Sequence, residues 1–177
     1  SSDSWIDEVS KGEALASRYR FKTLRIKPEM QFAELMQMKK GFPNQRFQWC
    51  SGLLKGLPFL SWIDEFDPDC KDIVIIGKRR EESAARSATP EFIDSSDYHG
   101  GRTLWHPLYM HDENMRNDLL KRAGCDVLAH RSHECHPCVN ANREDFKLMN
   151  HKDIKKVADL EQLVGKTMFR PAKHNGA

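Results

Sequence analysis

An α/β sandwich is the fold class this chain predicts. "DIVIIG", residues 72–77, holds four consecutive apolar, β-branched residues, which suits a strand buried on both faces of a parallel sheet. Helical patterns stand on both sides of that run. The elements read in the order α-β-α-α-β-loop-β-α-loop-α-α, the alternation of a helix-covered sheet. Only two or three strands are visible, so the sheet is expected to be incomplete towards its N-terminal side.

Each element has its own signal. Residues 3–20 predict a helix capped by Asp3 or Ser4, with Ile6, Val9 and Tyr19 on an apolar face that Gly12 weakens. "FKTLRIK", 21–27, alternates and predicts a strand. Pro28 then opens a helix with Phe32, Leu35 and Met36 inward and Gly41 past its end. Residues 50–56 predict a short helix, and Pro58 starts a further turn carrying Trp62 and Ile63. "GRTLWHPL" predicts another short strand. Residues 112–123, 139–149 and 152–164 predict helices, and the tail "RPAKHNGA" is expected to be loose.

Composition narrows the function classes. The 177 residues are 31% charged and 39% hydrophobic, with a net charge of +2. Such a nearly balanced charge gives little support for a nucleic-acid partner. No apolar run approaches the roughly 20 residues that cross a bilayer, so no membrane partner is expected. The chain begins at Ser1, and an N-terminal piece is expected to precede it. The five cysteines fall at irregular spacing, which fits a disulfide scaffold poorly and a reducing compartment well; the cytoplasm is the expected location.

Two clusters carry candidate chemistry. "GKRREESAARS" follows the buried strand, at the carboxyl edge where open α/β sheets bind ligands. Arg79, Arg80 and Arg86 offer guanidinium forks for phosphate or sulfate oxygens, Glu82 can orient an arginine, and Ser83 can donate to an oxyanion. A solvated helix with charge pairs three or four residues apart explains the same residues equally well. "RFQWCSGLLK", 46–55, brings Arg46 and Lys55 as cations, Trp49 as a stacking surface and Cys50 as a thiol near a helix start. A core tryptophan and cysteine at a helix start is the plainer reading there.

Gly77, Arg79, Glu82, Ser83 and Arg86 have the spacing G-x-R-x-x-E-S-x-x-R. Upstream, Arg46, Trp49, Cys50, Lys55 and Pro58 resemble an R-x-W-C…K-x-x-P block, with one further residue between Arg46 and Trp49. "HPL" at 106–108, "LLKRAG" at 119–124 and the C-x-x-C of Cys135 and Cys138 follow in order. Over residues 40–146 the chain resembles the phosphoadenosine phosphosulfate (PAPS) reductase family, nearest to its small phage and bacterial members. The resemblance implies an adenine-nucleotide α-hydrolase-like sandwich with a mostly parallel sheet, over residues 1–150, followed by a C-terminal helix and tail at 151–177. It implies that Arg79, Glu82, Ser83 and Arg86 lie beside the phosphate or phosphosulfate groups of an adenine nucleotide such as ATP or PAPS. It also implies a [4Fe–4S] cluster on cysteines and either sulfonucleotide reduction or adenylation for sulfur transfer, with Cys50 as the catalytic candidate.

The family's S-G-G-K-D-S phosphate loop has no counterpart in this chain; the one Gly-Gly pair, Gly100-Gly101, precedes Arg102. The first strand and helix are therefore expected to come from a longer protein or a partner chain, unless nucleotide hydrolysis has been lost. A degenerate, partner-binding subunit is the corresponding alternative.

"RSHECHPC", 131–138, bears on the metal. A C-x-x-C turn brings two thiolates to one side. Cys135, Cys138, Cys50 and Cys125 form the ligand set expected for an iron–sulfur cluster. Zinc is the rival, because His130, His133 and His136 stand at three-residue spacing among the cysteines, and a zinc-stabilised binding module would then replace the enzyme. A redox pair and an unligated surface loop complete the alternatives. Arg131, Glu134 and Asn140 flank the cysteines as hydrogen-bonding neighbours or ordinary surface. Cys70 belongs to no constellation and reads as a small hydrophobe. His106 reads first as a hydrogen-bonded structural histidine and second as a group at the nucleotide edge.

Overall fold

The computed structural model describes residues 3–44, 46–127 and 138–169, with side chains from residue 9 onward. The fold is mixed α/β and divides into two compact units, residues 1–58 with 130–177, and residues 59–129. Among the described residues, no helix is long and apolar enough to cross a membrane.

The first unit is helical. Helix α1 covers Asp3–Arg18 and α2 covers Phe32–Lys39. A capping box starts α2: Glu34 reaches back to the Gln31 N–H at 2.8 Å. Lys40 ends it in the left-handed region at φ 49°. The Lys166 ammonium donates to the Lys40 carbonyl at 2.8 Å, where the helix dipole favours a cation. Helix α3, Trp49–Ser51, runs into a π-helical turn at Gly52–Gly56, and α4, Leu57–Phe66, follows with all but its first two residues in the second unit. The widened turn accommodates Pro58, which has no N–H to give to an α-helical ladder. Helix α6 (Arg143–Lys147) and helix α7 (His151–Val164) are each opened by an asparagine cap, Asn142 and Asn150. Leu35 and Met36 of α2 are buried where it packs on α7, and Met168 is buried in the turn beyond α7.

The second unit carries the sheet, three strands in the order β1-β3-β2. β1 is Ile73–Ile75, β2 is Phe92–Ser96 and β3 is Arg102–Trp105. β1 runs parallel to β3 and β2 antiparallel to it, so the sheet is mixed. Arg102, Leu104 and His106 alternate along the central strand and are all buried, which puts the unit's core on one face of β3 beside Ile63 of α4. Helix α5, Glu113–Arg122, begins at Asp112, whose carboxylate accepts from the Met115 N–H at 2.8 Å.

Several expectations need correction. The predicted strand at 21–27 has no ladder: its alternation is right, but a strand exists only when a neighbour supplies hydrogen bonds, and Phe21 and Leu24 stand 72% and 61% exposed. Residues 73–75 do form a strand, but not one buried on both faces. β1 is an edge, with Ile73 and Ile75 57% and 60% exposed. β2 escaped prediction because "FIDSS" offers just two apolar residues. Tyr19 lies beyond α1 and is exposed. The helix expected at 139–149 is confined to α6 by its Asn142 cap. Cys70, at φ 53°, is exposed rather than packed as a small hydrophobe. The tail from residue 170 lies outside the described residues.

Candidate oxyanion site

The arginine loop leaves the carboxyl end of β1 through Gly77 and folds into two 3₁₀ turns, Arg80–Glu82 and Ala84–Arg86. Glu82 organises it. Its carboxylate accepts from the Arg79 backbone N–H at 3.5 Å and stands 3.5 Å from the Arg79 Nε. The same carboxylate is hydrogen-bonded to Arg86 Nη1. Arg79 also reaches Glu81 at 3.3 Å, and its side chain is only 11% exposed. Two guanidinium groups thus converge on one carboxylate, with the Arg86 side chain 47% open to solvent.

Arg80 has a different role from the one its position in the loop suggests. Its Nε donates to the Thr89 carbonyl at 2.8 Å, its backbone N–H donates to Tyr109, and its guanidinium lies 4.8 Å from the centre of the Tyr109 ring. These contacts tie the loop to the segment after β3. Because β1 and β3 are parallel, both ends lie at one sheet edge, and Arg80 fastens them there. His106 is 1% exposed and its Nδ1 lies 2.9 Å from the Pro90 carbonyl, the geometry of the structural role. Ser83, exposed between the two 3₁₀ turns, is available to an oxyanion.

The other candidates sit as follows. In the first unit, Arg46 and Lys55 are exposed, while Trp49 and Cys50 are half-buried in α3. The Trp49 ring lies 6.0 Å from the Lys39 ammonium, the outer limit of a cation–π contact. Cys138, half-buried, accepts a hydrogen bond from the Asn140 backbone N–H at 3.5 Å. In the second unit, Cys125 closes the turn after α5, its N–H donating to Leu120. Cys135, His130, Arg131, His133, Glu134 and His136 lie outside the described residues. Among the described residues, no three His, Cys, Asp or Glu side chains gather as metal ligands. No disulfide joins Cys50, Cys70, Cys125 or Cys138.

Two features were not foreseen. Arg102 is completely buried; it bonds Asp67 at 2.9 Å and Asp64 at 2.8 Å, and donates to the Ile63 carbonyl at 3.0 Å. Its alternation with Leu104 and His106 was the available signal, hidden because arginine is seldom buried. An open concavity of about 440 Å³ is lined by His111, Met115, Asp118, Lys121 and Arg122, and the Nδ1 of His111 is buried without a hydrogen-bond partner there. Periodicity along α5 gives the helix, but nothing in it points to His111.

No protein-family model matches the chain. A curated relative, described as an "Uncharacterized 37.8 kDa protein in gpa 5'region" of Escherichia phage 186, is 26% identical over 171 residues. The match covers 81% of this chain and 48% of the relative, so the chain spans about half the length of the protein it is similar to.

Proposed function

We propose that the chain is a PAPS-reductase-like protein of sulfur metabolism that binds an adenine nucleotide through its arginine loop and carries a cysteine-ligated [4Fe–4S] cluster, within an adenine-nucleotide α-hydrolase-like fold. The observation that carries the reading is the convergence of Arg79 and Arg86 on Glu82 at the carboxyl end of β1. A phosphate or phosphosulfate oxygen offers these groups the same charge-assisted hydrogen bonds that the carboxylate now accepts. Arg86 is the half that swings to ligand at least cost, being more exposed than Arg79. Arg79, held on Glu81 and Glu82, gives the loop its fixed side. Arg46, Trp49 and Lys55 join the nucleotide site by resemblance alone.

Cys50, Cys125, Cys135 and Cys138 are the proposed cluster ligands. What supports the set is its four soft thiol donors and the backbone N–H that points at the Cys138 sulfur; Cys50, Cys125 and Cys135 join it by resemblance. When bound, a cluster would supply redox capacity; the chain's own residues do the holding of the oxyanion. Nucleotide binding, not turnover, is what the arginine loop supports.

Titration calorimetry with ATP, adenosine phosphosulfate and PAPS tests the nucleotide, and metal analysis with absorbance tests the cluster. A sample prepared without oxygen should contain iron and absorb near about 400 nm. A colourless, iron-free sample with about one zinc per chain would replace the cluster by a zinc site using His130, His133 or His136. Absence of heat with all three nucleotides would end the proposal.

A further inference from the structure

The second unit leaves one sheet edge open. Ile76 N–H donates to the Trp105 carbonyl at 3.0 Å. In a parallel pair alternate residues face the same neighbour, so the N–H and C=O groups of Ile73 and Ile75 point away from β3. Beside this edge runs an open groove of about 330 Å³, lined by Phe59, Trp62, Ile63 and Phe66 of α4 and by β1 itself. Trp62 stacks on Phe66 with ring centres 5.1 Å apart, and Phe66 is 64% exposed. Exposed Asp72 adds a carboxylate to the lining of the groove. An unpaired edge beside an apolar groove is the setting in which extended polypeptide adds as a strand.

The chain also contains a segment of matching chemistry. Residues 21–27 have strand alternation but no ladder of their own. Arg25 is held on Glu13 of α1 by two hydrogen bonds, 2.6 and 2.7 Å. In an extended segment that fixes the other face, with Lys22, Leu24 and Ile26, away from α1. Leu24 and Ile26 suit the groove, and Lys22, on the same face, suits the carboxylate of Asp72 that lines it.

We propose that residues 21–27 of one copy add as a strand to the outer edge of β1 in a second copy, so that the protein forms a two-fold dimer with two such pairings. Exchange of identical segments makes the interface isologous and closes the assembly at two chains. The occupant is a basic, alternating strand, and a second copy of this chain supplies one.

The test is sedimentation velocity on the full chain from about 1 to about 300 µM, since self-association follows mass action. The sedimenting mass should rise from 20.5 kDa to twice that value. Leu24→Glu and Ile75→Lys should each weaken association at least about tenfold, because a charge enters an apolar pairing. Leu24 is exposed and outside any helix or strand, so Leu24→Glu leaves the fold intact, as far-UV circular dichroism will verify. Mixing the two monomeric variants should restore a dimer: one pairing is then wild type, and the other sets the introduced carboxylate against the introduced ammonium. A wild-type chain that stays monomeric throughout, variants that associate like the wild type, or a mixture that stays monomeric would each overturn the proposal. Capture of a strand from another protein would leave the pure chain monomeric and so falls among those outcomes.

Discussion

Arg102 lies wholly out of solvent on the central strand, with its Nε 2.9 Å from the Asp67 carboxylate. The same guanidinium donates to Asp64 and to the backbone carbonyls of Ile63, Asp67 and His99, so it joins the end of α4 to the turn before β3. Removing one partner of a buried pair strands the other charge, which costs more than the pair itself contributes. Arg102→Ala should therefore lower the melting temperature by about 10 °C or abolish the transition. Arg102→Lys, which keeps charge but loses the planar fork, should recover part of the loss. Thermal melts by circular dichroism check both.

Acid should weaken the second unit through Asp67. Burial, the largest influence, pushes its carboxyl up, but hydrogen bonds from the Lys71 N–H, the Arg102 guanidinium and the Asp72 N–H outweigh it. The net position lies below the ordinary value of 3.8. A carboxyl depressed in the folded state stabilises above its unfolded value and loses that contribution as pH falls through the folded one. Stability should thus be flat above about pH 5 and fall below about pH 4 from this group. Urea titrations of Asp67→Asn across the same range should show a lower plateau and a shallower acid fall.

Gly100 and Gly165 separate backbone strain from crowding. Both have positive φ, 64° and 70°, but a methyl at Gly100 would stand 2.5 Å from the Arg102 guanidinium and 3.0 Å from Asp64, whereas one at Gly165 meets nothing. Gly165→Ala should cost about 1 kcal/mol, the left-handed penalty alone. Gly100→Ala should cost about 3 kcal/mol or more, because it also displaces the buried ion pair. Denaturant midpoints of the two variants measure the difference.

Asn150 caps α7 by accepting from the Asp153 N–H at 3.0 Å, while the Asp153 carboxylate returns to the Asn150 N–H at 3.2 Å. Asn150→Ala should cost about 1 kcal/mol, the usual worth of such a cap. Hydrogen exchange should localise the loss to α7 and to α2, on which it packs.

Arg86→Ala should weaken binding of ATP or PAPS about tenfold or more, about 1.4 kcal/mol, if the loop takes their oxyanions. Arg80→Ala should act differently. Its guanidinium serves Thr89 and Tyr109, so binding and thermal stability should fall together. Calorimetry beside melting curves distinguishes the two.

Much of the fold was legible because its signals are local. The caps and periodicity of α1, α2, α5 and α7 place those helices within a few residues of their observed ends. The arginine loop was legible as well, since a charged run directly after an apolar strand marks the sheet's carboxyl edge. What stayed hidden depends on partners. Arg80 looks like its neighbours in sequence, yet Tyr109, far along the chain, turns it into an anchor. Arg102 reads as surface until Asp64 and Asp67 enclose it.

By itself, the sequence determined where α5 and α7 start and stop to within a residue, which residue types crowd the loop after β1, and that the chain mixes helices with few strands. Tertiary structure alone decided that 21–27 finds no ladder within its own chain, that β1 is an edge with an exposed apolar flank, and that an arginine is the most deeply buried side chain of the sheet. Caps and periodicity act between residues a few positions apart, so the chain itself contains both partners. Ladder pairing and charge burial require groups brought from distant positions, and which groups meet is fixed only when the chain folds.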